Sequence, residues 1–213
     1  MENETYKGYT IKIDQDDIDE SPREWGTLGK MVCFHNRYTL GDKNDFDKDD
    51  FQSWGELEKA IRKTEDTRVI APLYLYDHSG LRIKIGNFYG LLPQGHAEFD
   101  SGQVGFIYVT NEAIRKEYNV KKVTKNMIEK ALKVLENEVK LYDQYISGDI
   151  YRFFIEDADG VEVDSCGGNY GYTETLEEAK RIVDGEVENR RLEKEKKLKG
   201  YIKNEVPLIY RTA

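Results

Sequence analysis

VIAPLYLYDHSGLRIKI, residues 69–85, decides the fold. Val69 to Tyr76 is a run of strand formers, Asp77-His78-Ser79-Gly80 has turn composition, and Leu81, Ile83 and Ile85 alternate straight after it. The spacing predicts a β-hairpin. Pro72 has no backbone donor, so it predicts an edge strand, a bulge or the true start of the strand. Upstream, Met31, Val32 and Phe34 mark a strand within 30–38; downstream, Val104 to Val109 returns as another. Tyr9-Thr10-Ile11-Lys12-Ile13 alternates as a half-buried strand, and residues 150–156 and 161–164 flank Asp157-Ala158-Asp159-Gly160 as a second hairpin.

Between these strands lie helical patterns. Phe51, Trp54, Leu57 and Ile61 recur at helical spacing behind Asp49 or Asp50 as cap. Asn111 caps a short helix over 112–118, and Thr124 opens a helix over 124–146. That second helix carries the stripe Met127, Ile128, Ala131, Leu132, Leu135, Val139 and Tyr142 and stops at Gly148. Thr175 and Glu178 read as a capping box for a helix over 175–197. The expectation is an α+β fold, an antiparallel sheet built from hairpins and packed against two long helices. It is expected as a single compact domain over 1–213, with a subdomain boundary near 120 as the alternative. Residues 198–213 are expected as a C-terminal tail or edge strand.

The chain has 213 residues, with 32 basic and 41 acidic side chains and a formal charge of −9. That balance argues against direct nucleic-acid binding through backbone neutralisation. No apolar run approaches the roughly 18 residues needed to cross a membrane, and the N-terminus has no signal-peptide pattern. The expected location is cytoplasmic, with Cys33 and Cys166 reduced.

Several constellations contain residue types that carry chemistry. Asp77, His78 and Ser79 contain triad residue types, yet adjacent turn residues point in different directions, and Asp77 reads better as an Asx turn. Asp45, Asp47 and Asp49 fall at positions 1, 3 and 5 of a calcium loop with Glu56 at position 12, but Asp50 stands where glycine is needed. Gly167-Gly168-x-x-Gly171 lacks the lysine of a phosphate loop. A composite zinc site from His78, His96 and a carboxylate requires convergence from separate loops. No cofactor is expected. Tyrosine is abundant, at 15 copies, and Tyr74 and Tyr76 share one strand face. With Trp54 they are candidate interface anchors.

Four strings are distinctive: PLYLYDHSG at 72–80, DSGQVGFIY at 100–108, YISGDIY at 145–151 and SCGGNYG at 165–171. On these the chain resembles, over approximately residues 25–185, a family of small acidic proteins encoded on phages and mobile elements of Gram-positive bacteria. It departs from the family pattern before Asp100, with Phe99 in place of Trp. The resemblance implies an accessory factor directed against host defences, of the anti-CRISPR or anti-restriction kind, and transfers no catalytic residue. Combined with the acidity, it makes the leading expectation an interaction protein that inhibits or modulates a host factor. The partner would be a host protein with a basic surface, such as a nuclease or nucleic-acid-binding defence factor. The contact residues would be Asp14, Asp16, Asp17 and Asp19, then Asp45, Asp47 and Asp49, with Trp54, Tyr74 and Tyr76 as anchors. Two alternatives stand beside it. One is a small hydrolase or metal-dependent nuclease using Asp77, His78 and Asp100; the other is a structural accessory protein.

Overall fold

The structure is a computed structural model that describes residues 2–93, 95–207 and 210. In chain order the strands and helices are β1 (Glu2–Tyr6), β2 (Tyr9–Gln15), β3 (Lys30–Cys33), α1 (Trp54–Thr64), β4 (Thr67–Asp77), β5 (Leu81–Ile85), α2 (His96–Phe99) and β6 (Ser101–Thr110). They continue with α3 (Asn111–Glu117), α4 (Lys125–Ser147), β7 (Ile150–Glu156), β8 (Glu162–Tyr170) and α5 (Tyr172–Glu205). The fold is α+β, with two four-stranded antiparallel sheets where one was expected. It forms two compact units, Ile18–Asp149 and the remainder. Residue 120 lies inside the first of these, between α3 and α4.

The unit built from the chain ends has strand order β1-β2-β7-β8. The inward positions of β2 (Tyr9, Ile11 and Ile13) meet Phe153 and Ile155 of β7, and Ala179 and Val183 of α5 cover them. This helix begins a turn earlier than the capping box implied. Thr175 is fully buried and its hydroxyl donates to Gly171 O at 2.7 Å, while Glu178 pairs with Arg181. Burial of the threonine outweighs the local cap. The helix runs on to Glu205, eight residues past the predicted end, and residues 188–199 are all exposed. Leu208, Ile209 and 211–213 of the expected tail lie outside the described residues.

The middle unit has strand order β3-β6-β4-β5. One sheet face carries Met31, Leu73, Leu75, Val104 and Ile107 against Ala131, Leu135 and Val139 of α4. The other carries Val32, Phe106 and Tyr108 against Leu57 and Ile61 of α1. β4 is central, so Pro72 sits in an interior strand. Its carbonyl accepts from Gly86 N at 2.9 Å. N–H and C=O of one strand residue point to the same side, so the donor Pro72 lacks faces the place where β5 has already ended. Gly105 lets β3 and β6 close up: a Cβ there would lie 1.8 Å from Val32 O.

Two caps differ from the sequence reading. Ser53, not Asp49 or Asp50, caps α1 by accepting from Glu56 N at 3.3 Å. Thr110, not Asn111, caps α3 by accepting from Ala113 N at 3.0 Å. At α1 a hydroxyl one turn nearer the helix supersedes the more distant carboxylates; at α3 the helix starts one residue earlier than expected, so Asn111 is its first residue and the preceding threonine caps it. Arg23, the lone base in the acidic stretch 14–24, has a buried side chain. Burial works against its charge, but Asp42 at 2.7 Å and Glu138 at 3.1 Å outweigh it and raise its pKa. Both cysteines are free, and burial together with the Asp42 charge pushes the Cys33 thiol up to about 12. Among the described residues no helix is long and apolar enough to cross a membrane.

Candidate metal centre

The register of β4 with β6 assembles the site. Leu75 pairs with Gly102, Tyr76 with Ser101, and Asp77 N then donates to Asp100 O at 2.9 Å. The β4–β5 turn, which carries His78, therefore lies beside the start of β6. Directly upstream, the single turn of α2 places His96 four residues before Asp100, on the same helical side. Gly95, at φ 90°, begins that turn in a conformation that favours glycine.

His78, His96 and Asp100 converge as a result. Each offers one ligand atom, all within 4.8 Å of one another. Asp100 Oδ2 lies 3.3 Å from His78 Nδ1 and 3.5 Å from His96 Nδ1, and the imidazoles meet edge to face with centroids 5.0 Å apart. Tetrahedral zinc with bonds of about 2.0–2.1 Å separates neighbouring ligand atoms by about 3.4 Å, so the two measured spacings fit it. Two imidazoles and one carboxylate also match the three-ligand complement of catalytic zinc sites, which keep a further position for water or substrate. The side chains are 51%, 36% and 29% exposed, in the order His78, His96, Asp100, so such a position would be reachable.

The surroundings hold the imidazoles in place. Tyr76 stacks on His78 with rings 24° apart, its hydroxyl lies 3.3 Å from His96 Nδ1, and Phe88 packs on its ring. Tyr76, expected as an interface anchor, thus packs its ring against the candidate ligands, and its hydroxyl would give way to a metal bound at His96 Nδ1. Behind the hairpin, Asp143 of α4 accepts from Ile83 N at 2.7 Å and takes a forked bond from Arg82.

Asp100 also lines a cleft of about 450 Å³ with His35, Arg37, Lys48, Asp77 and Trp54. Arg37 is ion-paired to Asp77, which takes Asp77 out of the role of free base. Lys48 Nζ donates to the neutral Asn36 Oδ1 at 3.3 Å. A recess of about 350 Å³ shares Phe34, Lys48 and Trp54 with this cleft, and Phe51, Gln52, Ser53 and Leu57 complete its wall.

Several of the other residues singled out in the sequence have local partners, through side chain or backbone. Asp14 pairs with Arg152 at 3.4 Å, which lowers its pKa through that bond, and Asp16 Oδ2 accepts from Gly168 N at 2.8 Å. Asp17 donates its own N–H to Asp16, and the Asp19 carbonyl accepts from Tyr145. Asp47 caps a short turn by accepting from Asp49 N at 3.0 Å, and Glu56 accepts from Gln52 N. Asp45 and Asp47 line a further hollow with Phe46, and that hollow shares Phe34, His35 and Lys48 with the cleft. Tyr74 is half-buried on the same face as Tyr76. Among the described residues, His78, His96 and Asp100 are the one group of three such ligands. The composite site read from the sequence names His78 and His96 with an unspecified carboxylate; the spacing His96-x-x-x-Asp100 is the signal that points to which one.

No family model, no curated protein and no solved structure matches the chain. The functional reading therefore rests on the geometry of this site.

Proposed function

We propose that the protein is a metal-dependent phosphoesterase acting on a nucleotide-sized substrate. The convergence of His78, His96 and Asp100 carries the reading. A divalent metal held there would polarise a phosphoryl oxygen and lower the pKa of a bound water, the two services that such ions supply to phosphoester hydrolysis. Lys48 and Arg37 in the adjoining cleft suit the remaining phosphate charge. The aromatic recess of Phe34, Phe51 and Trp54, with Gln52 at its edge, suits a base, because rings stack on bases of any identity and an amide can read their polar edge. The formal charge of −9 favours a small substrate over a long nucleic acid, whose binding would require broad backbone neutralisation.

The test is hydrolysis of bis(p-nitrophenyl) phosphate and of the p-nitrophenyl ester of thymidine 5′-monophosphate. Metal-stripped protein should be inactive, and addition of Zn²⁺ or Mn²⁺ should restore turnover. His78→Ala should abolish it, whereas Trp54→Ala should raise KM for the thymidine ester with little change in kcat. Equal rates in stripped and metal-loaded protein, or full activity in His78→Ala, would overturn the proposal.

A further inference from the structure

At the other end of the β4–β6 ladder lies a further cavity, of about 350 Å³, lined by Arg68, Arg115, Lys121 and Lys122 with Asp66, Asn111 and Val123. β4 runs from Thr67 to Asp77, so at about 3.3 Å per residue this cavity is about 30 Å from the metal centre. We propose that it is a binding site for a compact multivalent anion of the phosphate class.

The local backbone brings the cations together. A register shift between Thr67 and Val69 leaves Arg68 as the extra residue of a bulge, the device by which strands re-aim a side chain. Asn119, at φ 49°, ends α3 in a left-handed turn, and Val120 N closes back on Arg115 O at 3.0 Å. That reversal carries Lys121 and Lys122 to the cavity that Arg115, half-buried on α3, also lines.

Two independent observations point to a ligand. First, none of the four cations has an ion pair or side-chain hydrogen bond among the described residues, in a chain with nine more acidic than basic groups. The one carboxylate of the lining, Asp66, already accepts from Asn111 Nδ2 at 3.1 Å. Four like charges around one hollow repel each other until an anion enters. Second, Asn111 is 7% exposed and its Oδ1 has no hydrogen-bond partner. A buried acceptor left unpaired is costly, and it calls for a donor such as the hydroxyl of a hydrogen phosphate.

These two features set the ligand class. Four cations call for at least two negative charges, and guanidinium groups match phosphate oxygens in a forked geometry. The orphan acceptor favours phosphate over sulfate, because sulfate carries no proton at neutral pH. The proposal does not depend on the metal centre.

Calorimetry and thermal melts of the full chain with inorganic phosphate, pyrophosphate and sulfate, at ionic strength matched with NaCl, test it. Pyrophosphate should bind one to one and raise the melting temperature, phosphate should do so more weakly, and sulfate least. Arg115→Gln should weaken pyrophosphate about tenfold, the scale of one charge-assisted bond. Lys121→Gln with Lys122→Gln should weaken it at least as much, with both variants folded by circular dichroism. A pyrophosphate response no larger than that of NaCl, equal responses to phosphate and sulfate, or unchanged affinity in both variants would overturn the proposal.

Discussion

The two ends of the β4–β6 ladder share one core and differ in how their charged groups are satisfied. At the hairpin end, Asp100 bridges two imidazoles, Asp77 is paired with Arg37, and Asp143 holds the turn from behind. At the opposite end, Arg68, Arg115, Lys121 and Lys122 surround a hollow with no counter-charge beyond Asp66. The first end is arranged around an acceptor set that suits a cation. The second is a cluster of donors that suits an anion. A sheet core that fixes both ends independently allows two sites of opposite sign in one small unit.

Substitutions can separate the ends. The largest effect should come from Asp100→Asn, which neutralises the carboxylate both imidazoles share. Metal-dependent turnover should fall by more than about 100-fold, beyond the 10–100-fold typical of groups that only support ligands, while pyrophosphate binding at the far end stays unchanged. Leu135→Ala should break both ends together. Leu135 is fully buried beneath the sheet, so its truncation should cost about 2–5 kcal/mol in denaturant unfolding. Half-buried Leu132→Ala should cost less, and exposed Lys133→Ala should stay within about 0.5 kcal/mol. Asp143→Ala should cost about 1–3 kcal/mol by leaving Ile83 N unpaired, and should loosen metal binding alone. The smallest effect belongs to Lys121→Gln with Lys122→Gln. Stability should rise by no more than about 0.5 kcal/mol at low salt, and the gain should vanish toward 1 M salt, where screening shortens to about 3 Å. Melts across a salt series check this.

The comparison also shows what a sequence discloses. The hairpin at 69–85 and the stripe of α4 were legible because period-2 and period-3.6 patterns are local and long. The split into two sheets was not. It depends on which hairpins pair, and the N-terminal strand β2 pairs with β7, some 140 residues away. His78, His96 and Asp100 were each noticed, but their meeting depends on a ladder with a register shift between Leu73 and Tyr74. A slip of one residue would reverse the facing of that strand. The cationic cavity is not legible in the sequence for the same reason. Arg68, Arg115 and Lys121 are spread over more than fifty residues, and only a bulge and a left-handed turn bring them together. The Ser53-x-x-Glu56 cap, by contrast, is local and present in the sequence, beside aspartates of equal capping propensity.

Zinc binding by calorimetry, on metal-stripped wild type, His78→Ala, His96→Ala and Asp100→Asn, tests the central claim most directly. One zinc should bind per chain, with affinity falling as pH falls because protons compete for the same imidazole and carboxylate atoms. Each substitution should weaken it by at least about tenfold, while Asp45→Asn leaves it unaltered. Absence of stoichiometric zinc binding in the wild type, or wild-type affinity retained in all three ligand variants, would contradict the account.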